Sequence, residues 1–502
     1  SVRNELRKLH KAVEMECKAA KVSECLARNL RRLSALVGLT TTDCRILEFA
    51  VLIHTERVLD DAADWLGSLS SVKMYAVLAV LLGLPEREIR TALSASGILA
   101  RSGLVSLDQS GPSRLQSRLT LLSAKFADHI ISSDSDPVDL LRDAVSLSSP
   151  PRLEMADFEH LDEELSLLRP YLKKSLATAR RGVNIFMHGI PGTGKSQLAK
   201  VLAQEMRCEL FEVSSEDEDG DPINGGQRLN ALRAAQSFLA QRKSILLFDE
   251  VEDVFDDGMG IFGKKSTAQT HKAWLNRMLE ENQVPVLWLS NSAQGLDPAF
   301  IRRFDLVFEL PVPPKKQRER IIRAHCGGLL SEPVIARIAQ VETLAPAVVT
   351  RAAAVVNSIK GELGKHGAEA AFELIVNNTL ETQGHARIPA NDPDRLPATY
   401  NPAYINADTD IEAIAVGLKG TKSGRLCLYG PPGTGKTAYG RWLAEQLEMP
   451  LLVKRGSDLM SMYVGGTEQN IAKAFSEAER EGALLLIDEV DSFLQDRRGA
   501  KN

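Results

Sequence analysis

Cysteine is scarce and scattered. The six residues (Cys17, Cys25, Cys44, Cys208, Cys326 and Cys427) form no C-x-x-C pair and no metal-ligand spacing. That pattern argues against a zinc framework and a disulfide scaffold, leaving reduced thiols of a cytosolic protein as the expectation. Long apolar runs are missing too. The most apolar stretch, Met74 to Leu84, falls short of the roughly 20 residues that span a bilayer and reads as a buried helix. The N-terminal segment Ser1-Val-Arg-Asn-Glu-Leu-Arg-Lys is charged throughout and has no signal-peptide core. A soluble, cytoplasmic chain with no membrane partner is expected. Charge of one sign is also absent: a net −5 gives no general pull toward nucleic acid or anionic lipid. What remains, 502 residues with 44% hydrophobic and 25% charged, is ordinary globular material with room for three or four domains.

Against this background two octapeptides stand out: Gly189-Ile-Pro191-Gly192-Thr193-Gly194-Lys195-Ser196 and Gly430-Pro-Pro432-Gly433-Thr434-Gly435-Lys436-Thr437. Both fit G-x-x-x-x-G-K-[ST], the glycine-rich turn whose backbone N–H groups face a nucleotide's phosphates at a helix N-terminus. Lys195 and Lys436 would reach the β- and γ-phosphates, while the hydroxyls of Ser196 and Thr437 would ligate Mg²⁺. The expected nucleotide contacts run on to Gln197 and Ala438. Each loop is followed, at nearly the same distance, by an apolar strand ending in Asp-Glu: Ile245 to Glu250 and Leu484 to Glu489. Asp249 and Asp488 would complete the Mg²⁺ shell. Glu250 and Glu489, one residue on, stand where a carboxylate can polarise an attacking water. An Asp-Glu pair alone is commonplace; its repeat in register with two phosphate loops is not. The cofactors implied are ATP and Mg²⁺.

Residues 1–150 read as mostly helical. Within them, a helix closed by Gly83-Leu-Pro85, a second helix from Glu86 to Ser96, a turn at Gly97 and an extended Gly103 to Leu107 follow the order of a winged helix-turn-helix. A DNA-reading helix needs a basic stripe, and Glu86, Arg87, Glu88 and Arg90 nearly cancel, which favours protein docking or packing. Ser146 to Pro151 is turn-rich and reads as a boundary. Residues 155–314 alternate helices with strands expected at Val183–His188, Glu209–Val213, Ile245–Asp249, Val286–Ser290 and Leu306–Leu310, an α/β parallel sheet covered by helices. Residues 315–380 read as a small helical lid and 381–404 as a Pro/Asn/Asp-rich linker. A second α/β module occupies 405–502. It stops just past its acidic strand and is expected to be the front part of a longer module.

From about residue 155 onward the chain resembles the AAA+ ATPases, and more narrowly the AAA branch that includes katanin, spastin and related protein-remodelling motors. Besides the loops and acidic strands, the segment Leu289-Ser-Asn291-Ser-Ala-Gln-Gly-Leu-Asp297-Pro298-Ala-Phe-Ile-Arg302-Arg303-Phe304-Asp305 carries this resemblance. It implies that Asn291 is the sensor 1 residue, which helps place the attacking water. It also implies that Arg302 and Arg303 are arginine fingers that reach a neighbouring subunit's nucleotide. Their adjacency is closer to the katanin-like form than to Arg-Pro-Gly-Arg, and leaves open which one touches phosphate. Arg351 resembles a sensor 2 arginine, with a plain surface arginine as the alternative.

Met462-Tyr463-Val464-Gly465-Gly466 looks like the loop that faces the central channel of such rings, Tyr463 gripping an extended polypeptide beside Val464. The first module has the acidic Ser214 to Gly226 there instead, with no aromatic. The leading expectation is a tandem ATPase that remodels or threads a protein substrate as a homo-oligomeric ring, a hexamer, with an N-terminal region that recruits substrate or adaptor. The alternatives are a nucleic-acid-associated ATPase tethered by the winged-helix-like segment, with DNA as a disfavoured partner, and a nucleotide-switched scaffold. The sensor and finger positions of the second module would lie past Asn502.

Overall fold

The computed structural model describes residues 2–16, 22–108, 111–134, 136–216, 220–255, 272–293, 296, 298–389, 396, 399–421, 423–460 and 466–490. The chain divides into two compact units, Ser1–Gly189 with Lys195–Leu310, and Ile190–Gly194 with Pro311–Asn502.

The first unit opens with helices. Ser70 caps the helix Ser71–Leu82 and Gly83 ends it in the left-handed region at φ 59°. The next helix, Glu86–Ala92, stops earlier than the expected Ser96. The chain folds back there so tightly that a Cβ on Gly97 would stand 2.1 Å from the Ala92 carbonyl oxygen. A short helix Ile98–Arg101 leads into β1 (Val105–Leu107), which pairs antiparallel with β2 (Leu119–Leu121).

Six further strands build the main sheet: β3 (Val145–Leu147), β4 (Asn184–His188), β5 (Glu209–Val213), β6 (Ser244–Phe248), β7 (Val286–Ser290) and β8 (Leu306–Glu309). Their order is β3-β5-β6-β7-β4-β8, parallel throughout except for β3 against β5. The five strands expected from sequence lie within a residue of these bounds. β3 departs from the expectation of a turn-rich boundary: Val145 to Leu147 pair with Val213 to Phe211, and the Ser148 amide extends the ladder to Leu210 O at 2.8 Å. Three residues before Ser-Ser-Pro-Pro carry too little alternation to announce a strand.

Strand residues alternate between two cores, as the period of two requires. Ile185, Met187, Ile245, Leu247, Leu287 and Leu289 face the helices Asp162–Thr178 and Lys195–Met206. Phe186, Leu246, Phe248, Val286 and Trp288 face the other way, joining Leu229 and Phe238 of the helix Gly225–Phe238. That second core runs without a break into Leu26, Leu47, Leu99 and Phe126 of the N-terminal region. The change near residue 150 is therefore one of element type, and the N-terminal helices share their core with the sheet.

In the second unit, helices Lys315–Cys326, Glu332–Ala339, Pro346–Ser358 and Lys360–Thr382 enclose their own core. The second α/β module contributes helices Ile411–Thr421, Lys436–Leu447 and Gly466–Glu481, with β9 (Leu451–Arg455) parallel to β10 (Leu484–Asp488). Residues 423–429, before the second phosphate loop, form no ladder, so this loop does not follow a paired strand as the first one does. In the first module β4 takes its partners β7 and β8 from chain that follows the acidic strand. Lys454 of β9 reaches both Glu342, at 2.6 Å, and Glu477, at 2.9 Å. Burial alone would lower its pKa, but the two carboxylates hold it above the ordinary lysine range.

One buried polar residue ties the sheet centre together. Asn184 Nδ2 donates to Leu279 O (2.7 Å), and Asn184 Oδ1 accepts from Trp288 Nε1 (3.1 Å). Replacing it (Asn184→Leu) should cost about 1–3 kcal/mol for each buried group that loses its bond. The check is a lower urea midpoint at unchanged m-value.

Candidate active site

The first site grows from the turn between β4 and the helix Lys195–Met206. This turn accepts only small residues. A Cβ on Gly189 would stand 2.2 Å from Leu310 O, and one on Gly192, at φ 86°, would stand 2.8 Å from Ala347 Cβ. Thr193 Oγ1 braces the loop by donating to Ile190 O at 3.0 Å, while Pro191 is exposed. Gly194, at φ 97°, leads into Lys195.

Lys195 is buried, and its Nζ donates to Gly189 O (2.7 Å) and to Asn291 Oδ1 (3.1 Å). Burial pulls its pKa below the ordinary lysine range, against Asp249 and Glu252, which raise it. The ammonium is thus stripped of water and held by neutral oxygens, a state in which a phosphate is a strong competitor for its protons. Ser196 Oγ donates to Asp249 Oδ2 at 2.8 Å, and the Glu250 amide donates to Asp249 Oδ1 at 2.9 Å. The expected lysine, hydroxyl, aspartate, glutamate and sensor asparagine are therefore brought together. Gln197 is turned elsewhere: its Oε1 accepts from the Arg152 amide at 2.8 Å.

Two further residues build this site and were not among those singled out from sequence. Glu252 Oε1 accepts from Ser290 Oγ (2.8 Å) and from the Asn291 amide, fixing the strand end that carries Asn291. Its signal was its place two residues after Glu250. Arg228, in the helix Gly225–Phe238, donates to the main-chain carbonyls of both Asp249 and Glu250. Nothing local in the sequence distinguishes it from a surface arginine.

The two candidate fingers differ. Arg303 forms an ion pair with Glu280. Arg302 is exposed, and no ion pair to it is found among the described residues. Arg351 is exposed on the helix Pro346–Ser358, one turn beyond Ala347. Spacing of i, i+4 puts it on the face that meets Gly192.

The second site repeats the wiring. Lys436 Nζ donates to Gly430 O and Pro431 O, both at 2.9 Å. Thr434 Oγ1 donates to Pro431 O (2.9 Å), and Gly433 and Gly435 take φ 80° and 84°. Thr437 Oγ1 donates to Asp488 Oδ2 at 2.9 Å, and the Glu489 amide to Asp488 Oδ1 at 3.1 Å. Pro432 is exposed, and Ala438 lies in the first turn of the helix Lys436–Leu447. Glu250 and Glu489 share a left-handed backbone, φ 53° and 58°, which is unusual for a residue with a Cβ. Tyr463 and Val464 lie outside the described residues.

One hydroxyl and one carboxylate per site is the donor set that suits Mg²⁺, which keeps several waters and takes the rest of its oxygens from phosphate. Ser196 with Asp249, and Thr437 with Asp488, fit that role.

Residues 185–312 and 426–502 match the family model described as "ATPase family associated with various cellular activities (AAA)". An AAA ATPase domain is present in both segments. The chain is 25% identical over 358 residues to Protein CdcH of Halobacterium salinarum, covering 62% of this chain and 47% of the relative. It is 27% identical over 421 residues to ATPase family gene 2 protein homolog B of Rattus norvegicus, covering 74% and 55%. To the Cell division cycle protein 48 homolog of Archaeoglobus fulgidus it is 24% identical over 395 residues, covering 70% and 53%. The chain spans about half the length of these curated relatives. The AAA domain and the ATPase-named relatives support ATP hydrolysis as its chemistry. No described helix is long and apolar enough to cross a membrane.

His188, the last residue of β4, gives the first site a pH dependence. Burial lowers its pKa from the ordinary 6.5, with Glu309 opposing and Lys195 assisting. The unfolded chain then binds this proton more readily than the folded one, so stability is full above that range and is lost as pH falls through it. The thermal midpoint should drop between pH 7.5 and 5.5, and drop less in His188→Gln. Equal drops in both proteins would contradict this account.

Proposed function

We propose that this chain is the working part of a tandem AAA ATPase that remodels or threads a protein substrate as a homo-oligomeric ring, hexameric by analogy with the family. The observation that carries the reading is the duplicated wiring: lysine on the loop carbonyl, hydroxyl on the aspartate, and a left-handed glutamate beside it, in both modules. Lys195 and Lys436 would bind the phosphates of ATP, and Ser196, Asp249, Thr437 and Asp488 would hold Mg²⁺. When bound, the metal neutralises charge on the transferring phosphoryl group. Glu250 and Glu489 would orient the attacking water and receive its proton, with Asn291 helping to place it in the first site.

The adjacent Arg302-Arg303 pair supports the katanin-like form of the family. Because Arg303 is engaged by Glu280, Arg302 is the better candidate to reach a neighbouring subunit's nucleotide. Tyr463 and Val464 are assigned to gripping substrate in the second module, while the acidic Ser214–Gly226 loop gives the first module a regulatory and assembling part. The N-terminal helical region would recruit substrate or adaptor, in a cytoplasmic setting. The DNA-tethered alternative gains nothing from the helix Glu86–Ala92, where Arg90 is paired with Glu86 at 2.6 Å and lies over the Tyr75 ring at 4.6 Å. A purely structural scaffold has no use for two poised glutamates.

Arg302→Ala should lower ATP turnover of the assembled protein toward the loss of ~10³–10⁵ seen when a trans-acting arginine is removed, and Arg303→Ala should lower it less. Full turnover in the Arg302 variant would remove the finger assignment. Tyr463→Ala should abolish unfolding of a tagged test protein while leaving ATPase activity largely intact, and unchanged unfolding would end the threading claim.

A further inference from the structure

We infer that Arg228 is a positioning residue for Glu250, holding the catalytic glutamate of the first site in its left-handed conformation from the helix that follows the acidic loop. This rests on the reading that Glu250 acts on the attacking water.

Three observations converge on the same guanidinium. It is almost wholly buried, at 1% exposure. It donates to Asp249 O at 2.5 Å and Glu250 O at 3.2 Å, two consecutive main-chain carbonyls at the end of the acidic strand. It also lies over the Phe248 ring, 4.4 Å from the centroid, so it touches each of residues 248, 249 and 250. Burying a guanidinium is costly unless its protons are well placed. An apolar side chain would fill the same space without that cost, but would leave both carbonyls without these charge-assisted bonds.

Those carbonyls flank the Glu250 Cα, whose backbone torsions matter most. Glu250 takes φ 53°, a region that costs a residue with a Cβ roughly 1–2 kcal/mol. The backbone conformation sets the direction in which the side chain leaves the strand end, so losing it relocates the carboxylate. Asp249 is already fixed by Ser196 through its side chain. Arg228 grips the main chain on both sides of the Glu250 Cα.

The residue is particular to one module. Gly225-Gly226-Gln-Arg228 in the first corresponds to Gly465-Gly466-Thr-Glu468 in the second, where an acidic residue stands in its place. Glu489 has φ 58° as well. Arg228 opens the helix that begins where the acidic loop ends, and with Glu212, Ser214, Ser215 and Glu216 it lines the cleft beside Glu250.

The test uses the full chain in a Glu489→Gln background, so that turnover reports the first site. Arg228→Met keeps bulk and removes the donors; Arg228→Lys keeps charge but has no planar fork to span two carbonyls. The expected result is a kcat loss of about tenfold or more in Arg228→Met, with KM and the affinity for a non-hydrolysable ATP analogue within about twofold of the parent, and a partial return of kcat in Arg228→Lys. A parental kcat, or a kcat that falls together with analogue affinity, overturns the inference. If Arg228→Met does not fold, Arg228→Lys decides by the same two criteria. Glu250→Gln in the same background separates the two readings: turnover surviving that change removes Glu250 from catalysis, whereas turnover lost there but normal in Arg228→Met removes only the positioning role.

Discussion

A hydrogen bond from the hydroxyl at the start of a helix to the carboxylate at the end of a strand sets the geometry of both sites. Ser196 to Asp249 and Thr437 to Asp488 differ by 0.1 Å in length, as the shared loop and Asp-Glu-Val sequences around them require. The bond fixes how far the phosphate loop stands from the acidic strand. Everything the loop offers, amide donors and an ammonium, is thereby registered against the two carboxylates at the strand end, the metal ligand and base of the proposed mechanism. Where a divalent ion and a triphosphate bind, that pre-set distance means less rearrangement and less ordering cost.

The sheet can hold this distance because its strands are committed on both faces. One face packs against the helix that carries Lys195 and Ser196; the other merges into the N-terminal helices. A region that looks in sequence like a separate recruiting module therefore shares a core with the catalytic sheet. Whatever binds those helices pushes on a body that also contains Asp249 and Glu250.

The parts legible in sequence were those whose chemistry is local. Glycines, lysine and hydroxyl lie within one octapeptide, each acidic pair closes a short apolar run, and the strands announced themselves as short apolar segments alternating with helices. Arg228 and Glu252 were not legible because their roles exist only through space: one reaches two carbonyls from a helix twenty residues upstream in the chain, roughly a supersecondary unit away, and the other joins two strand ends. β3 was hidden because three residues show no period. The unpaired stretch before Gly430 was hidden for another reason: strand propensity is local, but a strand needs neighbours, and those of β4 come from later in the chain. Gln197 was singled out by adjacency to the loop, and its side chain secures the Arg152 amide, a contact that adjacency does not announce.

Lys454 carries a consequence of its own. Its side chain is 15% exposed and is clasped by Glu342, just past the lid helix Glu332–Ala339, and by Glu477 of the second module. Removing one carboxylate would leave the lysine paired with the other, whereas removing Lys454 would leave two like charges facing each other without their cation. The lysine is therefore the keystone of the clasp: the lid and β9 of the second module are joined through its one cation.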